Sequence, residues 1–267
     1  LILGLGSIGQ RHLRNLIKID KKIKFFALRK KFLTPLLNNK NHVIRGDIKR
    51  RYKIQYIKNL EDIKRENIAI DAAFICTPSK FHVKESIWLL KNNINIFVEK
   101  PLGSSLENIK KLEKILFKKK SLKNMMGYQL KFNPIINKVK NLIKENYIGK
   151  INNIFVHHGE HIDNFHPYED YRISYAARKD LGGGVILCQI HEIDYIMFIF
   201  EDYKLKVLNS LNSKVSKLSI NVEDNVIANF LLSKKNKKAV CTLHLNFFER
   251  PKNRKILIIG EQGKIEA

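Results

Sequence analysis

Three apolar residues, Leu1-Ile2-Leu3, run straight into Gly4-Leu5-Gly6-Ser7-Ile8-Gly9, after which apolar residues recur through Leu13, Leu16 and Ile17. A strand that ends in a glycine turn and continues as a helix leaves few folds open. Gly4 permits the tight turn off the strand, Gly6 lets the backbone approach a diphosphate, and Gly9 lets the helix pack close to the sheet. The helix N-terminus, at Ser7 and Ile8, offers free N–H groups and the positive end of its dipole to phosphate oxygens. The spacing predicts a dinucleotide-binding unit with Gly4, Gly6, Ser7, Ile8 and Gly9 against the cofactor.

The alternation of strand and helix continues. Apolar strands are expected at Ile23 to Leu28, Ile70 to Cys76 and Ile94 to Val98, the last two ending at Thr77-Pro78 and Glu99-Lys100-Pro101. Helical spacing returns through Val83, Ile87 and Leu90, and a further helix is predicted from about Ser105 to Phe117, with Glu107 at its N-terminal cap. This pattern implies an α/β fold opening with a doubly wound parallel sheet, the Rossmann arrangement, over residues 1–122.

The texture changes over 123–267. A helix is predicted from Pro134 to Lys144, followed mainly by strands: Ile151 to His157, Lys206 to Leu211, Val226 to Leu232, Ala239 to Phe247 and Lys255 to Ile259. Cys241, Leu243, Leu245 and Phe247 alternate with Thr242, His244 and Asn246, so one face of that strand is buried and the other polar. The polar run Ser233 to Lys238 reads as a hairpin turn. The second domain is therefore expected to be α+β, with a mostly antiparallel open sheet. Leu1 already lies inside a strand pattern, and Gly260 to Ala267 resembles the approach to a last strand, so truncation at both ends is expected.

The net charge of +25 raises the question of nucleic acid. The excess is mostly lysine spread along the chain beside abundant Ile and Asn, without a helix-turn-helix, zinc-finger or aromatic-basic signature, so no specific nucleic-acid partner is expected. No apolar run reaches the ~20 residues of a membrane span. Three scattered cysteines suit a reducing compartment, and the expectation is a cytoplasmic protein. His157, His158, His161 and His166 match no strong metal-ligand spacing, and no metal is expected.

After the second strand an NAD-specific fold places an acidic residue against the adenosine ribose. Arg29 and Lys30 stand there instead. A guanidinium binds a 2′-phosphate bidentately where a carboxylate would repel it, so NADP(H) is favoured and NAD(H) remains possible.

These residues resemble a family. Gly4-Leu5-Gly6-Ser7-Ile8-Gly9-Gln10-Arg11-His12, Cys76-Thr77-Pro78-Ser79 with His82, Glu99-Lys100-Pro101, Gly127-Tyr128-Gln129, and Gly182-Gly183-Gly184 with His191 and Asp194 are similar, in order, to the glucose-fructose oxidoreductase / inositol dehydrogenase / rhizopine catabolism (Gfo/Idh/MocA) family. The stretch from His166 to Asp194 resembles members linked to surface-glycan synthesis. The resemblance implies an NAD(P)-dependent oxidoreductase acting on a secondary alcohol or ketone of a sugar, sugar nucleotide or cyclitol. It implies cofactor contacts from Cys76, Thr77, Pro78, His82, Glu99, Lys100 and Gln129, and a homodimer or homotetramer formed through the C-terminal sheet.

Oxidising an alcohol removes a hydride from carbon and a proton from oxygen, so one basic group must reach the hydroxyl. The resemblance gives that role to Lys100, at the C-terminal end of a parallel strand. Lysine acts as a base where burial beside a positive ring favours its neutral form. His191 is the second catalytic candidate, relaying or orienting the proton, with Asp194 three residues on. Tyr171 could stack on a sugar face and Arg172 grip an acidic group, so both are candidate substrate contacts together with Lys100, Cys188 and His191. Many family members carry an aspartate where Cys188 stands, and a thiol does not replace that charge. The alternative is therefore a dinucleotide-binding sensor or scaffold without turnover.

Overall fold

The computed structural model describes residues 1–28 and 34–267. Its contacts divide the chain into two compact units: Leu1–Gly127 with His166–Asp170 and Asp180–Gly182, and Tyr128–Phe165 with Tyr171–Lys179 and Gly183–Ala267.

The first unit holds six strands, β1 (Ile2–Leu3), β2 (Phe25–Leu28), β3 (Ile54–Ile57), β4 (Ala72–Ile75), β5 (Asn95–Val98) and β6 (Asn124–Met126). They pair in parallel in the order β3-β2-β1-β4-β5-β6, the dinucleotide-binding topology. Neighbouring residues of one strand feed different cores. Ile2 packs with Leu13, Phe25, Ala27 and Ile54, while Leu1 and Leu3 pack with Ile75, Leu89, Leu90 and Val98. Both sheet faces are therefore covered, which is why these strands read as continuous apolar runs.

The helices are α1 (Ser7–Ile19), α2 (Ile48–Tyr52), α3 (Glu61–Arg65), α4 (Ser79–Lys91) and α5 (Ile109–Lys118). Two details differ from the sequence pattern. Strand β3 was not legible as a strand, because only Ile54 and Ile57 of its four residues are buried. The helix expected from Ser105 begins only at Ile109: Asn108 takes a left-handed φ of 60°, and Glu107 lies outside the helix and provides no cap.

In the second unit α6 (Pro134–Lys144) starts at the expected proline, capped by the Asn133 side chain on the Ile135 amide. A six-stranded sheet follows from β7 (Ile151–Gly159), β8 (Lys204–Ser213), β9 (Asn225–Lys234), β10 (Lys237–Asn246), β11 (Asn253–Gly260) and β12 (Gly263–Glu266), with α7 (Val185–Cys188) and α8 (His191–Ile199) between β7 and β8. The order is β12-β11-β7-β10-β9-β8, and only β7 with β10 is parallel. The expected hairpin turns at Lys235, whose φ is 52°.

Register sorts the side chains of this sheet. Cys241, Leu243 and Leu245 lie opposite Ile154, Val156 and His158 on the buried face, and Thr242 and His244 lie opposite Phe155 and His157 on the other. That second face leaves Phe155, Leu211, Ile227, Val240 and Ile259 exposed.

Candidate functional site

The glycine loop has the geometry its sequence demands. Gly4 has a φ of +91°, and a Cβ there would lie 2.7 Å from the Cys76 carbonyl oxygen. A Cβ on Gly9 would come within 2.1 Å of the Gly4 carbonyl oxygen, so helix and turn touch backbone to backbone. Beside Gly6 nothing lies within 4 Å of such a Cβ. The open approach at Gly6, with the N-terminus of α1 beginning at Ser7, fits the diphosphate of a dinucleotide. One contact was not foreseen: the Tyr168 hydroxyl, from the His166–Asp170 segment, is hydrogen-bonded to Ser7.

The other expected cofactor residues of this unit gather at the C-terminal ends of β4 and β5. Cys76 is buried, and burial, followed by the nearby Glu99 and Glu85 charges, pushes its thiol well above the usual range. Such a thiol is inert, and position 76 contributes backbone. Thr77 donates its hydroxyl to Glu85 Oε2 at 2.6 Å. His82 is 1% exposed, with Nδ1 2.7 Å from the Pro101 carbonyl and Nε2 2.7 Å from the Thr77 carbonyl. Burial lowers its pKa despite those two carbonyls. Each ring nitrogen faces a backbone carbonyl, so in either tautomer the one N–H of the neutral ring donates to the backbone, and His82 sits wedged between the Thr77 and Pro101 loops.

Glu99 and Lys100 follow β5 directly. Glu99 Oε1 lies 2.7 Å from His12 Nε2, whose ring packs on Phe74 and Phe97 at 5.2 and 4.9 Å. Glu99 Oε2 accepts from the Lys100 amide at 3.3 Å. Gly127 leaves the room this carboxylate occupies, since a Cβ there would lie 3.0 Å from Glu99 Oε2. Lys100 is half-buried and precedes a cis proline, Pro101. Arg29 and Lys30, which carry the NADP(H) expectation, lie outside the described residues.

In the second unit His191 is the first residue of α8, 6% exposed, with the Tyr128 ring 6.1 Å away, edge to face. Burial, and then the Asp194 charge, raises the Tyr128 phenol. Asp194 is bonded to Lys131 at 2.9 Å, which ties α8 to the turn after Tyr128. Gln129 is exposed in that same turn. Gly183 and Gly184 admit close neighbours: added Cβ atoms would lie 2.4 Å from the Tyr175 carbonyl oxygen and 2.2 Å from Glu223. Cys188 ends α7 and is 6% exposed.

Tyr171 is less available than its sequence suggested, because its hydroxyl accepts from the Ser219 amide at 3.2 Å and its ring packs on the core. Arg172 is exposed. The histidine-rich stretch resolves into separate pairs: His157 with Glu249 at 2.7 Å, His158 with Glu192 at 3.1 Å, and His161 and His166 with Asp163 and Glu169. Among the described residues no group of three or more His, Cys, Asp or Glu side chains could hold a metal ion. Nor does any described helix have the length and apolarity to cross a membrane.

Strand order, glycine cradle and the strand-end Glu99-Lys100-Pro101 define a dinucleotide-binding α/β unit joined in sequence to a six-stranded mixed-sheet unit. Residues 1–128 match the family model of oxidoreductases with an NAD-binding Rossmann fold, and residues 136–266 match the GFO/IDH/MocA C-terminal domain, so the chain belongs to the GFO/IDH/MocA oxidoreductase family. It is 29% identical over 199 residues to the scyllo-inositol 2-dehydrogenase (NAD(+)) of Bacillus subtilis (strain 168), covering 74% of this chain and 52% of that protein. It is 26% identical over 175 residues to the glucose-6-phosphate 3-dehydrogenase of the same strain, covering 63% and 49%. The chain thus spans about half the length of these curated relatives.

Solved structures share the fold, two of them as follows. The myo-inositol 2-dehydrogenase of Lactobacillus plantarum superposes with a TM-score of 0.79 at 20% identity, covering 100% of this chain and 75% of that one. The WlbA dehydrogenase of Bordetella pertussis, in complex with NADH and UDP-GlcNAcA, gives 0.80 at 17%, covering 99% and 72%.

Proposed function

We propose that this chain carries the working parts of a nicotinamide-dependent oxidoreductase that moves a hydride between the cofactor and a secondary alcohol or ketone of a sugar, sugar nucleotide or cyclitol. The observation that carries the reading is the juxtaposition, within the first unit, of an open glycine cradle on α1 with Glu99-Lys100-Pro101 at the end of β5. The nicotinamide, when bound, supplies the hydride chemistry.

Gly4, Gly6 and Gly9 shape the diphosphate cradle, and the Ser7 and Ile8 amides donate to it. Thr77, Pro78 and Glu99 line the strand ends, where His82 and His12 hold them. Lys100 takes the hydroxyl proton in oxidation and returns it in reduction. His191 is the second proton-handling group. Arg29 and Lys30 favour NADP(H) over NAD(H) through a 2′-phosphate. Cofactor contact from Gln129, and substrate contact from Lys100, Tyr171, Arg172, Cys188 and His191, complete the reading, with Tyr171 the weakest member because its hydroxyl is engaged.

The test titrates the chain with NADPH and NADH by fluorescence, then follows absorbance at the nicotinamide band with scyllo-inositol, myo-inositol, glucose 6-phosphate and UDP-GlcNAcA. Turnover of one compound, lost in Lys100→Ala with dinucleotide binding retained, is expected. Dinucleotide binding without turnover of any of the four would favour a sensor or scaffold.

A further inference from the structure

From Tyr128 onward the chain builds the second unit, yet it returns to the first at His166–Asp170 and again at Asp180–Gly182. Each return meets the first residue of a helix beside the dinucleotide site. At the later one, Ser79, 2% exposed at the start of α4, donates its hydroxyl to the Gly182 carbonyl at 2.9 Å. Gly182 has a φ of +79°, and a Cβ on it would lie 2.3 Å from that hydroxyl oxygen. At the earlier one, Tyr168 is hydrogen-bonded to Ser7, the first residue of α1.

The earlier return is a closed turn. The Glu169 amide donates to the His166 carbonyl at 3.0 Å, and His166 Nδ1 lies 2.7 Å from Glu169 Oε1. Pro167 restricts the second position of the turn, and the His166 and Tyr168 rings lie 5.3 Å apart. The turn leaves Pro167 exposed and Tyr168 half-buried.

Tyr168 accepts from both the amide and the side chain of Ser7. Helix α1 starts after Gly6, which has no side chain to cap it, so its first amides depend on partners outside the helix. The phenol oxygen meets that need at Ser7. A phenol also carries one O–H donor, and with the lone pairs of Tyr168 accepting from Ser7 that proton is left for another acceptor. An oxygen that accepts hydrogen bonds is a better donor in turn. Burial, and after it the Glu169 charge, raise the phenol above its usual value against the bonds from Ser7, so it keeps its proton at neutral pH. One residue away, nothing lies within 4 Å of an added Cβ on Gly6. A diphosphate entering that space brings oxygens that only accept.

We infer that Tyr168 is a diphosphate-binding residue of the dinucleotide site, its oxygen seated on Ser7 and its hydroxyl proton donated to a phosphate oxygen. The inference rests on the dinucleotide reading above and refines it at one point: the Ser7 amide serves the diphosphate through the Tyr168 oxygen, while the Ile8 amide donates to it unaided. Because the contact is to the diphosphate, it does not distinguish NAD(H) from NADP(H).

Tyr168→Phe keeps the ring in its turn and removes the oxygen. Calorimetry gives the Kd of NADH, NADPH and ADP-ribose for parent and variant, and thermal unfolding without ligand gives the melting temperature of each. The Kd is expected to rise about tenfold, by a similar factor for ADP-ribose and for whichever reduced dinucleotide the parent binds, since all share the diphosphate. An unchanged Kd with only the melting temperature lowered would reduce the bond to a fold contact and overturn the inference. So would a lower Kd, which would make the phenol an occupant that the diphosphate must displace. A rise for the reduced dinucleotides without one for ADP-ribose would move the contact to the nicotinamide half and overturn it as well. A parent that binds none of the three refutes the dinucleotide reading itself, whereas equal binding by parent and variant refutes only the role of Tyr168.

Discussion

His12 and Glu99, 87 positions apart, meet at 2.7 Å, with the histidine ring seated on Phe74 and Phe97. Through this one bond the helix that follows the glycine turn holds the carboxylate beside Lys100. Both side chains are largely shielded, at 15% and 12% exposure, so solvent does little to weaken the pair. His12→Phe keeps the aromatic packing and deletes the bond. The expected cost is about 1–3 kcal/mol in urea unfolding, with a severalfold rise in the Kd of the dinucleotide. Binding indistinguishable from the parent would remove Glu99 from the cofactor site.

Lys100 separates catalysis from binding. Lys100→Met retains the aliphatic stem and removes the proton acceptor, so turnover is expected to fall roughly 10²–10⁴-fold while dinucleotide affinity changes little. Stopped-flow absorbance on the accepted substrate reads the first quantity and fluorescence titration the second.

Cys188 is buried at the end of α7. Hydride transfer with proton removal involves no thiolate attack, so Cys188→Ser is expected to keep kcat within about threefold of the parent. A loss of two orders of magnitude, or a covalent adduct detected by mass spectrometry during turnover, would reverse that assignment.

Acid should weaken the second unit. Asp224 is fully buried and accepts from the Val215 and Ser216 amides at 2.8 and 3.1 Å and from the Ser216 hydroxyl at 2.5 Å. Burial alone would raise its pKa, but these bonds and Lys214 leave it below the usual carboxylate value, and Glu192 is shifted the same way. A folded-state pKa below the unfolded one gives stabilisation that is complete above the unfolded value, about 4, and is lost as pH falls through the folded value. The urea midpoint is therefore expected to be flat between about pH 5 and 7 and to drop below about pH 4. Asp224→Asn should flatten part of that drop while lowering stability at neutral pH.

The outward face of the second sheet predicts self-association. Phe155, Leu211 and Val240 are 41%, 60% and 37% exposed there. Exposed apolar residues grouped on one face are a common mark of a protein interface, and we expect a second copy of the chain to cover them. Leu211→Glu should shift light-scattering mass toward the monomer with an unchanged melting temperature. A monomeric parent protein would refute the idea.

What the sequence disclosed, it disclosed where a local rule had one solution. Gly4 and Gly9 sit as the turn requires, Pro134 opens α6, and the alternation from Cys241 to Leu245 sets the buried face of β10. Contacts between distant residues left no such mark. Nothing near His12 announces Glu99, and nothing near Glu192 announces His158, because each partner is chosen by strand order. His82 and Tyr171 show the reverse case: residues plausible as ligand contacts have polar atoms already bonded to the protein's own backbone. Helix α5 begins late because Asn108 adopts a left-handed turn that no capping pattern foretold.

The contact between Gly9 and the Gly4 carbonyl has a consequence for selectivity. Strand end and helix start are so tightly apposed that the diphosphate cradle is preorganised, and its backbone amides have little room to adapt to one guest over another. NAD(H) and NADP(H) present the same diphosphate to it. Any discrimination between them must then come from outside the cradle, where the 2′-phosphate that alone distinguishes the two cofactors lies.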